Sequence, residues 1–347
     1  MVIGWDIGGA HVKVALVDDH GRVVRVLQTA CPLWRGIEQL ALALTHLLPE
    51  LPTEGTTHGV TMTGELVDCF ASRAVGVHAI VATLASYFGA ANIRIFAGCA
   101  GFIAADSIAS HHIVHIASAN WLASVTLAAR QCRRALFVDI GSTTTDILCI
   151  DHHRPVIQAY TDYERLVSGE LFYTGIVRTS VMAVARNAVF NGRPMQLMAE
   201  HFATMADVYR LTCDLNEAHD QAETADGGPK TTLASALRLS RLTGYEFDEA
   251  ELALWQAFAA QLKHQQRQQI AAACARQIQR LAADDEPLVL VGAGVGRFLV
   301  KNMAIDCNAT YVDFNALCPP VKPQDAMQPA DCAPAVAVAM LVLGGAT

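Results

Sequence analysis

Phe137–Val138–Asp139–Ile140–Gly141–Ser142–Thr143–Thr144–Thr145–Asp146–Ile147–Leu148–Cys149–Ile150 is the stretch around which the chain is organised. An apolar run ends in Asp139, a Gly/Ser/Thr turn follows, and Thr145 and Asp146 lead into a second apolar run. The pattern predicts a β-hairpin closed by a phosphate-sized loop. Gly141 permits backbone geometry that clashes in other residues. Successive amides around such a turn converge into an anion-binding nest, and the hydroxyls of Ser142, Thr143 and Thr144 add donors. Asp139, at its strand end, is placed to hold a cation, expected to be Mg²⁺, beside the anion. Taken singly, the stretch also reads as an ordinary hairpin turn.

A second copy opens the chain: Val2–Ile3–Gly4–Trp5–Asp6–Ile7–Gly8–Gly9–Ala10–His11–Val12–Lys13–Val14 is again strand, Asp-Ile-Gly, small residues and strand. Two such hairpins predict related halves facing each other across a phosphate. Asp6 and Asp139 are the expected metal ligands, since facing carboxylates hold a hydrated Mg²⁺ directly or through its waters. Gly8, Gly9, Ala10, Gly141, Ser142, Thr143 and Thr144 are the expected phosphate-binding residues. Lys13, on the returning strand, is placed to reach a phosphate oxygen; a solvent-facing strand lysine is the plainer reading. Asp146 reads as a general base, as a support for the metal, or as a hairpin hydrogen-bonding group. His11 reads as a satisfied polar group within the first hairpin. A third glycine-rich turn, Gly292–Ala293–Gly294–Val295–Gly296, follows the apolar run 288–291. Alone it is a weak nucleotide signal.

The order of the three turns resembles the actin, sugar-kinase and heat-shock-chaperone ATPase superfamily. Asp139 to Asp146 looks like its hydantoinase A/oxoprolinase branch. The first hairpin departs from that branch's usual Asp-x-Gly-Gly-Thr-x-Thr-Asp in carrying Ala10 and Lys13. The departure is similar to a narrower group of short hydantoinase-like proteins tied to tetrahydromethanopterin-linked one-carbon transfer. Its archaeal members include the methanofuran-pathway (aminomethyl)furan–glutamyltyramine condensing synthase. The likeness continues through 162–166, 169–175, 177–179, 206–210 and 224–228, and so spans most of the chain.

The resemblance implies an α/β fold of two ribonuclease-H-like (actin-like ATPase) domains facing each other across a phosphate-binding cleft. The expected division is residues 1–135, with the first hairpin, and 136–347, with the second hairpin, an acidic loop and an adenosine-type Gly turn. It also implies nucleotide or substrate binding at Gly292, Gly294, Gly296, Arg178, Asp226 and Lys230, a second base candidate in Glu170, and weight on Asp207 and Tyr209. The implied function is transfer from an aminomethylfuran-methyl diphosphate to a phenolic amine acceptor, with Mg²⁺ and without ATP consumption. An ATP-dependent hydrolase or kinase-like enzyme is the alternative, and a nucleotide-gated clamp a third.

Bulk properties narrow the partners. With 347 residues, 52% apolar and 17% charged, the chain buries a substantial core rather than remaining disordered. Its net charge of −8 argues against nonspecific nucleic-acid binding. Ten cysteines without a Cys-x-x-Cys pair argue against a zinc site and for reduced thiols. With a first strand at the N-terminus and no leader, a cytoplasmic location is expected, and a homodimer is compatible with the sequence. The uncharged stretches 74–93 and 107–129 are broken by His, Ser and Asn and read as buried core, not membrane spans.

The remaining spacing predicts a strand over 22–28, helices near 37–48, 68–73 and 77–88, strands at 59–63 and 93–96, and a buried helix over 117–130. It then predicts a strand over 156–160 and a long, mostly helical pattern over 169–187. Helices are expected over 198–211, 232–242 and 261–280, with an acidic loop between at 216–230 and a terminal helix over 332–347.

Overall fold

The computed structural model describes residues 1–52, 55–281, 287–321 and 327–345. Its first sheet contains β1 (Val2–Ile7), β2 (His11–Val17), β3 (Val23–Ala30), β4 (Thr57–Met62), β5 (Ile93–Phe96) and β6 (Phe102–Ala104), in the order β3-β2-β1-β4-β5-β6. The β1–β2 hairpin is antiparallel, and β4 runs parallel to β1. Every residue of β1 is buried, as expected for a strand covered on both faces.

The second sheet repeats that centre. It contains β7 (Ala135–Ile140), β8 (Thr145–Asp151), β9 (Arg154–Val156) and β10 (Leu171–Phe172), and later β13 (Val289–Ala293) and β14 (Thr310–Asp313). β7 and β8 form an antiparallel hairpin, and β13 runs parallel to β7. Between them, β11 (Asn187–Phe190) and β12 (Arg193–Gln196) make a separate hairpin. The helices Thr232–Thr243 and Leu252–Ile278 contribute to the core beside this sheet.

The apolar terminal helix, Ala333–Leu343, packs on β1, β2 and β4 and against the helix Asn120–Ala129. Both helices share one core with residues of β2, β7 and β13, so the end of the chain ties the halves together. A Cβ on Gly4 would strike the Ala335 carbonyl. That glycine lets the helix lie directly on the sheet. A division at residue 135 therefore separates the sheets but not the helices. Residues 346 and 347 of the expected terminal helix lie outside the described residues.

Four expectations are corrected. Residues 68–72 form a turn and bends, and the helix starts at Arg73 behind a Ser72 cap. The extended segment expected over 156–160 ends at Val156. The helix expected over 198–211 occupies only Met205–Leu211. The stretch 169–187 is mostly not helical: it holds β10 and the single turn Val181–Val184. The amides of Ile176, Val177 and Arg178 donate instead to the Gly141 and Ser142 carbonyls, at 3.1, 3.1 and 2.8 Å. Tertiary hydrogen bonds with the phosphate-type turn outweigh local helical spacing there.

Candidate active site

The two hairpin turns are built by the same bonds. In the first, the Gly8 amide donates to the His11 carbonyl at 2.9 Å; in the second, Gly141 donates to Thr144 at 2.8 Å. The carbonyls of Gly9 and Ala10 accept from Leu33 and Cys31, as those of Gly141 and Ser142 accept from 176–178. Carbonyls are thus held from behind. The amides of Gly9, Ala10, Ser142, Thr143 and Thr144 donate to no protein group among the described residues. Converging free amides of this kind suit an anion.

Both turns line one cleft of about 610 Å³, together with Asp6, Lys13, Asp139 and Asp146. In register, Asp6 faces Lys13 and Asp139 faces Asp146. Burial raises the Asp6 carboxyl to about 6, opposed by Lys13 and the Asn120 amide. Burial, then the charge of Asp146, raises Asp139 to about 7. Lys13 works the other way. Its burial disfavours the cation, but Cys332, Asp6, Asp139 and Asp331 more than offset this and raise its pKa. Its Nζ donates to the Asp331 carbonyl at 2.8 Å. Burial also raises Asp146, against the pull of Arg165 at 2.7 Å, and the Arg165 guanidinium lies 4.0 Å over the Trp121 ring.

Among the described residues, no cluster of three or more His, Cys, Asp or Glu forms a self-sufficient metal cage. The donor set still suits Mg²⁺, which takes one or two carboxylates and completes its shell with water and substrate phosphate. Two buried carboxylates whose ionisation burial disfavours are matched by such a cation.

The cleft continues into a second cavity of about 330 Å³, the two sharing Ala10, His11, Trp34 and Arg178. The Arg178 guanidinium sits 5.4 Å over the Trp34 ring. His11 is held down to about 3 by burial, with Lys13 and Arg178 adding repulsion, and is therefore neutral. The wall beyond is a buried ionic network. Arg210 pairs with Asp220 at 2.6 Å and with Glu217 at 2.8 Å, and Arg238 pairs with Asp207 at 2.7 Å. Pairing is what makes such charges tolerable away from water.

Asp6, Gly8, Gly9, Ala10, Lys13, Asp139, Gly141, Ser142, Thr143, Thr144, Asp146 and Arg178 thus meet in one cleft. The others do not line it. Glu170 accepts hydrogen bonds from the Gln158 amide and the Ser168 hydroxyl, both at 3.0 Å, a bracing role beside β8. Asp226 pairs with Arg238, and Lys230 with Asp220, behind the second cavity's wall. Tyr209 is buried and donates to Gln266 at 2.6 Å.

Gly292, Gly294 and Gly296 line neither cavity. A Cβ on Gly294 would strike Asp139 Oδ1 and the Ile140 carbonyl, and the φ of +77° there suits glycine. Cβ atoms on Gly292 and Gly296 would meet Tyr311 and Ile140. The Gly294 amide donates to the Ala330 carbonyl, while Arg297 binds Asp331 and Gln328. Gly294 and Gly296 thus pack closely on the second hairpin, and Gly292 on β14.

Sequence reasoning missed Glu65, Ser118, Asn120 and Arg165. Glu65 follows the parallel strand β4, and in α/β sheets the carboxyl ends of parallel strands carry sites. That was a signal to weigh. Arg165 lies in the stretch 162–166 that carries the family likeness; Ser118 and Asn120 had no signal.

The hydantoinase/oxoprolinase family model matches residues 56–336. The (4-{4-[2-(gamma-L-glutamylamino)ethyl]phenoxymethyl}furan-2-yl)methanamine synthase of Methanocaldococcus jannaschii is 28% identical over 243 residues, 70% of this chain and 71% of that one. The synthase of the same name from Methanococcus vannielii is 31% identical over 110 residues, 32% and 49% of the two chains. Nucleotide-free acetone carboxylase shares the fold at a TM-score of 0.62 and 11% identity, over 98% of this chain and 70% of that one. The fold is the two-domain, ribonuclease-H-like arrangement of actin-like ATPases around a phosphate-type cleft. Matched over most of its length, the chain belongs to the hydantoinase/oxoprolinase family.

Proposed function

We propose that this enzyme condenses an aminomethylfuran-methyl diphosphate with the phenol of a tyramine- or tyrosine-derived acceptor, releasing diphosphate. The product is a phenoxymethylfuran of the kind that the relatives' names describe. The observation that carries the reading is the pair of joined cavities. One is walled by free turn amides and Lys13, and the other opens past Trp34 and Arg178. A diphosphate ester and a second substrate each have a compartment, with the reacting carbon in the cleft that holds the diphosphate.

The free amides of both turns, the Ser142 and Thr143 hydroxyls and Lys13 bind the diphosphate and stabilise charge as its C–O bond breaks. Asp6 and Asp139 would hold Mg²⁺, which supplies further charge neutralisation when bound. Arg165 keeps Asp146 paired at the cleft wall. Trp34 and Arg178 flank the passage through which the acceptor meets the furan carbon, whose developing positive charge the ring oxygen delocalises. Water is kept from that carbon by filling both compartments.

An ATP-dependent hydrolase is the second reading, favoured by the family match. It would need an adenosine seat, and the Gly292–Gly296 turn lines neither cavity. Phosphorus NMR with Mg²⁺ separates the two. We expect ATP alone to remain intact, and the furan diphosphate with γ-glutamyltyramine to release free diphosphate. ADP and phosphate from the first tube, with the furan diphosphate untouched, would overturn the transferase.

A further inference from the structure

The transferase needs a base for the acceptor's phenol, and the sequence offers Asp146 and Glu170. Asp146 is committed to Arg165, and Glu170 does not line the cleft. We propose that Ser118 and Glu65 form the proton-accepting pair, the Ser118 hydroxyl meeting the acceptor O–H and the Glu65 carboxylate taking the proton. The inference rests on the transferase reading and names its base.

Ser118 lines the cleft, two residues before Asn120, whose side chain reaches Asp6. It holds a φ of +52°, unusual for a residue with a Cβ. Such backbone strain persists where the surroundings over-determine a functional position. Its Oγ lies 3.0 Å from Glu65 Oε1 and 3.1 Å from Asp162 Oδ2. Glu65 is 1% exposed, and its Oε2 has no hydrogen-bond partner among the described residues. Nor does any cation there come within ion-pair distance of it, whereas Asp162 is paired with Arg73 at 3.1 Å. A buried carboxylate without a counter-ion is disposed to take a proton.

One hydroxyl proton cannot satisfy both carboxylates at once. With Glu65 ionised, Ser118 donates to Glu65, and an Oγ lone pair is open to the acceptor's O–H. In the step, the phenol oxygen forms its bond to the furan methylene carbon. The methylene–oxygen bond to diphosphate breaks, and its electron pair leaves with diphosphate. The phenol proton passes to Ser118 Oγ as the original hydroxyl proton passes to Glu65. The protonated Glu65 then donates to Oγ, and Ser118 donates to Asp162. After transfer both carboxylates share a hydrogen bond with Ser118, where before it only Glu65 did. Burial raises the Glu65 carboxyl to about 7, with Ser118 and Arg73 opposing and Asp162 adding to the rise, a range suited to a base at neutral pH.

The test follows diphosphate release by the full chain with Mg²⁺, the furan diphosphate and γ-glutamyltyramine across pH 5–9. Ser118→Gly relieves the φ and removes the hydroxyl; Glu65→Gln removes the base while keeping its shape. We expect kcat to fall by about 10²–10⁴-fold in either variant, with KM for the diphosphate unchanged. In Glu65→Gln the acid-side limb of the profile near pH 7 disappears. A fluorinated tyramine acceptor, already ionised at the assay pH, restores rate to both variants, which a merely structural defect would not allow. Ser118→Gly keeps the test decisive if Glu65→Gln fails to fold. Wild-type kcat in the variants, a retained acid limb in Glu65→Gln, or no rescue by the fluorinated phenol would overturn the pair while leaving the transferase standing. No diphosphate release from the wild type would overturn the transferase itself, and the pair with it.

Discussion

The two hairpin turns are alike in backbone and differ in charge, the first pairing an acid with a base and the second two acids. Each is closed by one glycine amide, at 2.9 Å in the first and 2.8 Å in the second. At the position across from its aspartate, the first carries Lys13 and the second carries Asp146. A cross-strand Asp–Lys pair is favourable, whereas two facing aspartates repel. Hence Asp139 is raised to about 7 and Asp6 only to about 6. The repulsion in the second hairpin is contained by Arg165, supplied from the helix Asp162–Ser168. The donors differ as well. The second turn adds hydroxyls from Ser142, Thr143 and Thr144, while Gly9 and Ala10 offer only amides. One backbone motif has thus become a half with a balanced acid–base pair and a hydroxyl-rich, anionic half. Both halves line the same cleft.

The largest effect expected from breaking this asymmetry comes from Lys13→Met. It removes the buried cation from among Asp6, Asp139 and Asp331 and lowers kcat for diphosphate release by about 100- to 1000-fold. Steady-state kinetics beside a thermal melt check this; near wild-type turnover would show that Lys13 only fills space.

Next are the hydroxyls. Ser142→Ala should raise KM for the furan diphosphate about tenfold, as for loss of a hydrogen bond to a charged group. Ala10→Ser in the opposite turn should change it little. Equal effects in both turns would mean that the hydroxyls do not divide the labour.

The smallest effect is on stability. Asp6 and Asp139 have raised folded pKa values, so the folded state binds more protons than the unfolded one. Their contribution is fully present below the unfolded value of 3.8 and is lost as pH rises through about 6 and about 7. Without Mg²⁺, the melting temperature should fall between pH 5 and 8. Asp139→Asn should flatten that fall more than Asp6→Asn. Added Mg²⁺ should stabilise more at pH 8 than at pH 5, because its ligands must be ionised. A melting temperature that rises with pH across this window would contradict the assignment of both carboxylates.

Much of this was legible in the chain. The strands around Asp6 and Asp139, and the turns between them, are local patterns of apolar residues and glycine, and they fold as read. The stretch 169–187 shows where such reading stops. Its apolar residues suggested a helix, but its amides are spent on the carbonyls of the second turn, a demand no local window contains. The Gly292–Gly296 turn was legible as a tight turn, but its glycines had two readings. Glycine is needed equally for close approach to a ligand and for close packing on Asp139 and Ile140.

What the sequence determined by itself was the pair of hairpins, with the acid at the end of each first strand, because turn chemistry and strand burial act between near neighbours. Tertiary structure decided which charges meet. Lys13 lies against Asp331, Arg165 against Asp146 and Ser118 against Glu65. The acidity of a buried group is set by desolvation and by charges a few ångströms away: Lys13 and Asp146 come from the same hairpins, whereas Arg165 and Asp331 are brought in by the tertiary fold.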